Sequence, residues 1–280
     1  MTKARLAVGG LALAITIGAC GAGPVSGQAS PAGSDTLFGN AKELVRVASA
    51  KTDQAKTAKF TITETIGGTP ITTHGEGRYD GPNTAIKTTM SVVGMEMETR
   101  IVDQAVYVKF PAEMGRAMTA GKPWGRFSAG NPIAKVMGAT AGTAEQNDPT
   151  RILDQVQQAG TITKSEKTTL DGQPVTHYWV DIDFAKALET FATGFGLPAD
   201  GMQGLADAQV VIPMELWLNQ DSLPVQITED LTAITNESGL AEAGMPVNIM
   251  VKYSDWGTPV DVQAPPADQV GELTLDLDHN

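Results

Sequence analysis

One thiol, three imidazoles and a few neighbouring carboxylates are the groups in this chain that could do chemistry. Their spacing decides how far each can go. His74, His177 and His279 are scattered, and no G-x-S-x-G elbow or phosphate-cradling glycine loop accompanies them. Asp181-Ile182-Asp183 would set two carboxylates on one side of an extended segment. Acid–base catalysis would use such a pair, but solvated charges at a strand end are the simpler account. The closing Leu-Asp-Leu-Asp-His could attract a cation, yet a frayed acidic tail is the default. No set of residues assembles an active site. The expectation is a protein that is not an enzyme and carries neither metal nor organic cofactor.

The thiol stands apart. Cys20 is the only cysteine of 280 residues. Lys3 and Arg5 form a basic start, residues 6–17 an apolar run, and Ile17-Gly18-Ala19 brings small residues up to the cysteine. That is the layout of a signal peptide ending in a lipobox, in which the cysteine sulfur is alkylated by a diacylglyceryl group and becomes the new N-terminus. The alternative is an ordinary signal peptide with a chance cysteine. The run falls short of the roughly 20 apolar residues a spanning helix needs. Residues 1–20 therefore read as a lipoprotein signal peptide and Cys20 as the lipidation site. The membrane is then a partner through an N-terminal lipid anchor, on the extracytoplasmic face of the cell membrane. No cysteine is left for a disulfide.

Without Lys3 and Arg5 the chain holds 18 basic and 32 acidic residues, a net charge of −14. Such a surface repels phosphate backbones, so nucleic acid is excluded as a partner.

The elements follow from periodicity. Residues 21–34, rich in Gly, Ala, Ser and Pro, read as a flexible tether, and 35–280 as a single domain. A helix is expected over 35–56, capped by Asp35, with Leu37, Leu44, Val45 and Ala48 mostly on one face. Strands are expected at 58–66, 71–79, 84–92, 95–102 and 105–110. After a polar stretch with Lys122-Pro123-Trp124, Asp148 and Pro149 open a helix over 150–159. Strands at 161–170 and 174–183 hinge at Asp171-Gly172. A helix over 184–195 leads into a Gly-rich loop to about 208, and strands at 209–218, 223–234 and 247–256 complete the set. Two batches of antiparallel strands with helices between them make the class α+β.

The run Met-Ser-Val-Val-Gly-Met-Glu-Met-Glu, residues 90–98, fixes a register. With Val93-Gly94 as a two-residue turn, Val92 faces Met95, Met90 faces Met97, Thr88 faces Thr99 and Ile86 faces Ile101. A turn at Asp103-Gln104 sets Ile101 against Val106, Thr99 against Val108 and Met97 against Phe110. A turn at residues 80–83 sets Gly77 against Ile86 and Gly75 against Thr88. One at 67–70 places Phe60 beside Gly77 and Ile62 beside Gly75. In the second batch, a turn at 219–222 pairs Leu218 with Leu223, Leu216 with Val225 and Met214 with Ile227. Tyr178, Val180 and Ile182 pair with Ser165, Thr163 and Thr161. His74 and His177 fall on the opposite, wet faces, and the four tryptophans read as packing or edge-covering residues.

One apolar face thus carries Phe60, Ile62, Ile86, Met90, Val92, Met95, Met97, Ile101, Val108, Met214, Leu216, Val225 and Ile227. It holds glycines, threonines and adaptable methionines, with few rings. Two accounts stay open at this point: an ordinary core under the helices, or a concave wall partly filled by a lipid. Glu64 and Glu229 fall on the same faces, either as sheet-edge residues in water or as contacts for a polar head group.

The lipobox, the helix-then-strands opening, "DPTRILDQV", "DGQPVTHYWVDID", "ELWLNQDSLPVQI" and "YSDWGTPVDVQAPP" together resemble the actinobacterial LppX/LprG-type envelope lipoproteins, over essentially the whole mature chain. The resemblance implies a LolA-like fold, a strongly curved antiparallel β half-barrel with helices on its concave face. It also implies acyl chains of an envelope lipid or glycolipid held between sheet and helices, with the thirteen apolar residues above as lining. The implied role is a monomeric carrier or chaperone in lipid trafficking, with a membrane lipid exporter as a candidate partner. Extra length around 184–208 departs from shorter members and could lid, enlarge or close the cavity. The competing expectation is a structural or protein-interaction lipoprotein with a filled core and no ligand.

Overall fold

The two-residue period of the sequence is carried into strands nearly throughout. The computed structural model describes residues 37–92, 94–103, 105–112, 115, 118–127, 148–188, 204, 207, 209–238 and 244–272. Its strands are β1 (Thr57–Ile66), β2 (Thr69–Arg78), β3 (Ala85–Val92), β4 (Met95–Val102), β5 (Ala105–Lys109), β6 (Trp124–Phe127), β7 (Gly160–Leu170), β8 (Gln173–Asp183), β9 (Val211–Asn219), β10 (Pro224–Asp230), β11 (Val247–Ser254) and β12 (Val270–Glu272). The helices are α1 (Ala41–Ala55), α2 (Pro149–Ala159) and α3 (Thr232–Ser238), and residues 184–188 add a helical turn after β8.

All twelve strands form one open sheet in the order β12-β6-β5-β4-β3-β2-β1-β11-β10-β9-β8-β7. Every pair is antiparallel except β12 with β6. The two expected batches are therefore two meanders, joined where β11 lies between β10 and β1. Side chains from α1, α2, β1, β3, β8, β9, β10 and β11 share one core cluster, with Ile162 of β7 packed against it. The eight strands from β3 to β7 span about 34 Å if flat, whereas two helices side by side cover about 20 Å. The sheet must curl around the pair. The α+β class and the helices on the inner face follow the expectation.

Both long helices are capped by their own sequence. Asn40 Oδ1 accepts from Glu43 N at 2.9 Å, so α1 starts at Ala41 and not at Asp35, which lies outside the described residues. Leu37, expected on the helix face, precedes the helix and is 45% exposed. Leu44, Val45, Ala48 and Thr52 turn inward. Asp148 Oδ1 accepts from Thr150 N (2.9 Å) and Thr150 Oγ1 (2.6 Å), and Pro149 begins α2 where no N–H is needed.

The first meander keeps the expected register from β2 to β5: Gly77 pairs with Ile86, Met90 with Met97 and Ile101 with Val106. Phe110 lies beyond the end of β5, yet it shares a cluster with Val108 and Phe127 against which Met97 packs. The β1–β2 pairing is two residues off the expected one. The turn is Gly67-Gly68 alone, both at positive φ (58° and 82°), so Phe60 faces Gly75 and Ile62 faces Thr73. A shift of two keeps every side chain on its side.

Two bulges correct the second meander. One at Thr163 pairs Val180 with Ile162 and Ile182 with Gly160. The other, at Val225, pairs Ile227 with Leu216 and Glu229 with Met214. The expected strand 223–234 ends at Asp230, whose Oδ1 accepts from Thr232 N at 2.9 Å and starts α3. The expected helix 184–195 is described only to residue 188, and β6 and β12 had no counterpart in the reading of the sequence.

The other face of the sheet is crossed by a strap. After β11, residues 255–269 run behind the first meander, where Val262 packs with Ala85 and Val102. Arg100 Nη1 donates to Gln263 O (3.0 Å), Lys122 Nζ donates to Asp268 O (2.7 Å), and the chain then adds β12 beside β6.

Candidate functional site

Strand alternation sorts charge with few exceptions. Among the described residues, every strand lysine and arginine points to the outer face except Lys167, which is exposed on edge strand β7. Of the described strand carboxylates only Glu64 and Glu229 face inward, with the apolar set.

Two inner rows run across the strands. One reads Tyr178, Leu216, Ile227, Val251, Ile62, Thr73, Met90, Met97. Its members from Tyr178 to Ile62 are buried, whereas Thr73, Met90 and Met97 are half-buried. The next row reads Val180, Met214, Glu229, Ile249, Glu64, Ile71. Val180 and Met214 are buried, and the other four are half-buried. The helices thus close the wall on the β8–β9 side. A half-buried apolar strip continues across β11, β1, β2, β3 and β4.

The expected lining residues divide accordingly. Phe60, Ile62, Ile86, Met214, Leu216 and Ile227 belong to the core cluster that includes α1 and α2. Val108 is buried with Phe110 and Phe127. Met90, Met97 and Ile101 are half-buried. Met95, at the hairpin tip, is 48% exposed. Val225 sits in the bulge and lines a cleft with outer-face residues. The side chain of Val92 lies outside the described residues, as do Cys20 and most of 184–208.

The interior glycines do leave room, and the chain's own rings take it. A Cβ on Gly75 would overlap the Phe60 ring, and one on Gly77 would meet the Tyr79 ring at 2.8 Å. Where the rings stand, the first of the two open accounts holds: the wall is packed core.

The carboxyls mark the other part. Burial pushes Glu229 up to about 7 and also raises Glu64, with no cation contributing to either shift. Glu229 nonetheless keeps part of its surface exposed. Glu229 is thus a desolvated carboxyl on the half-buried part of the inner wall. Tyr79, at the ring-filled part, is buried with its Oη unpaired, and burial raises it further than Asp148 does.

The outer face holds a feature that the sequence reading missed. His177 points outward as expected but is only 6% exposed. Its ring lies between Trp179 (centroids 3.6 Å apart) and Trp217 (4.1 Å, stacked), with Nε2 2.7 Å from Glu215 Oε2. Burial lowers its proton affinity and Glu215 partly restores it. Tryptophans at i+2 and on the neighbouring strand were the available signal. Nearby, Leu170, Asp171, Gln173, Val175, Asn219 and Lys252 border a cleft of about 630 Å³, with the Lys252 ammonium 3.0 Å from Asp171.

Among the described residues no group of three or more His, Cys, Asp or Glu side chains could hold a metal ion. No described helix is long and apolar enough to cross a membrane.

The sequence matches no family model and no curated protein. Among solved structures it is similar to the lipoprotein LppX of Mycobacterium tuberculosis, with 15% identity and a TM-score of 0.47 over 80% of this chain and 98% of that one. It is similar to LprF of Mycobacterium bovis, with 16% identity and a TM-score of 0.45 over 80% and 96%. MucB of Pseudomonas aeruginosa, in complex with MucA, shares 15% identity at a TM-score of 0.36 over 82% of this chain and 59% of that one. LppX is a lipoprotein of the type that the sequence resembles.

Proposed function

We propose that this chain is a non-enzymatic, membrane-anchored lipoprotein that binds acyl chains against the inner wall of its sheet and carries or chaperones envelope lipids. One observation carries this reading: beyond its buried part the inner wall continues as a half-buried, largely apolar strip through Ile249, Ile71, Thr73, Met90 and Met97. Each buried methylene of an acyl chain would contribute about 0.8 kcal/mol, so a chain of ordinary length needs no catalytic or ionic help to stay. Cys20 supplies the anchor in this reading, and an exporter of lipids is a fitting upstream partner.

The packing of Phe60 and Tyr79 over Gly75 and Gly77 favours a second reading, a structural or interaction domain with a filled core. Solvent extraction separates the two. Protein expressed without residues 1–20, purified and extracted, is expected to yield co-purified acyl lipid by mass spectrometry and to bind a lipophilic probe saturably. No lipid and no saturable binding would leave the filled-core reading. In the full chain, Cys20→Ser is expected to abolish incorporation of labelled palmitate; retained label would remove Cys20 as the anchor.

A further inference from the structure

We propose that Glu229 and Glu64 are the polar contacts of the inner wall for the uncharged, hydrogen-bonding part of a bound lipid, an ester carbonyl or hydroxyl as in a diacylglycerol, and that they turn away lipids with an anionic head. The inference rests on the acyl-binding reading above and adds to it which head group the wall accepts.

The geometry comes first. Glu229 on β10 and Glu64 on β1 are the cross-strand partners of the same residue, Ile249 on β11. The two carboxyls therefore flank one isoleucine on the half-buried strip, with Met214 and Ile71 outside them. Among the described residues neither carboxyl is met by a cation. The strand lysines and arginines lie on the far side of the sheet, apart from Lys167 on β7, three strands from β10. A phosphate or carboxylate brought to this strip would give up its water with no cation there to receive its charge, an uncompensated desolvation. An ester or hydroxyl loses less water and can accept a hydrogen bond from a neutral carboxyl, which carries one O–H donor.

The surroundings favour that neutral form. Tyr253 on β11 and Glu64 on β1 share the interior with Glu229, and burial first, then the neighbouring Tyr79, Asp148 and Glu229, holds the Tyr253 phenol in its neutral form. Asp230 points to the outer face and caps α3, and Glu237 on α3 is exposed. On the helices packed over this face, Lys42, Arg46, Lys51, Asp53, Arg151 and Asp154 are exposed. Among the described residues no positive charge stabilises an ionised Glu229. Burial holds it up to about 7.

The test uses the full chain in phosphatidylcholine vesicles with two photoactivatable lipids of identical acyl chains, a diacylglycerol and a phosphatidylglycerol, the second anionic at every pH used. At pH 5.5 diacylglycerol is expected to label the chain about tenfold more strongly. Its labelling should fall by about tenfold at pH 8.5 in the wild type, as expected for a donor titrating near 7, and should hold in Glu229→Gln, which stays neutral. Equal labelling by both lipids at pH 5.5, or labelling by diacylglycerol that ignores pH in the wild type, overturns the inference while leaving acyl binding intact. Labelling by neither lipid overturns both.

Discussion

The Phe60 ring stands directly over Gly75, its cross-strand partner, so that position 75 has no room for even a methyl group. Phe60 is 3% exposed and cannot swing into solvent. Gly75→Ala is therefore expected to destabilise the fold by about 2 kcal/mol, the usual scale of overpacking. Urea unfolding checks it, and Phe60→Leu should recover part of the loss in the double variant, as coupled neighbours do. Additive effects would mean that the two positions do not compete for space.

A second expectation concerns acid. The Glu229 carboxyl is raised to about 7 in the fold and has an ordinary value near 4.5 when unfolded. A raised carboxyl favours folding while it is protonated in both states, below about 4.5, and that contribution is lost as pH rises through about 7. Glu229→Gln should flatten this descent, giving a stability gain over wild type that grows between pH 4.5 and 7.5. An unchanged slope in thermal or urea unfolding would place the carboxyl in water.

His177 should act in the opposite sense. Its proton affinity is lowered by burial between two indoles, and the contribution of Glu215 is smaller. A lowered histidine favours folding above its unfolded value, near 6.5, and loses that contribution as pH falls. Following the imidazole by NMR should show it titrating below 6.5, and lower still in Glu215→Gln. Titration above 6.5 would show that the ion pair outweighs burial.

The first meander was legible because its turns announce themselves: Val93-Gly94 and residues 80–83 each admit one pairing, and hydrophobic alternation checks it. Gly67-Gly68 was misread as a longer turn because Pro70 looks like a turn residue, although here it sits inside β2. The bulges at Thr163 and Val225 leave no mark in composition, since they add one residue without changing its type. Strands β6 and β12 have four and three residues, too short for a period to show, and their pairing comes from distant chain segments. Thr232–Ser238 begins like a strand, Thr-Ala-Ile-Thr, and only the Asp230 cap turns it into a helix. For the inner wall, alternation indicated which residues face inward. It could not indicate which of them the helices cover, because that depends on where α1 and α2 lie across the sheet.

The position of β11 has a consequence for how the molecule comes into being. This strand is synthesised after both of the strands it pairs with, yet it is the seam between the two meanders, with four strands to one side and seven to the other. Until it arrives, β1 and β10 both present bare hydrogen-bonding edges, and each half is an unfinished ribbon open to pairing with strangers. Assembly therefore waits on residues 247–254. A nascent chain that stops short of them is left with two loose pages and no spine.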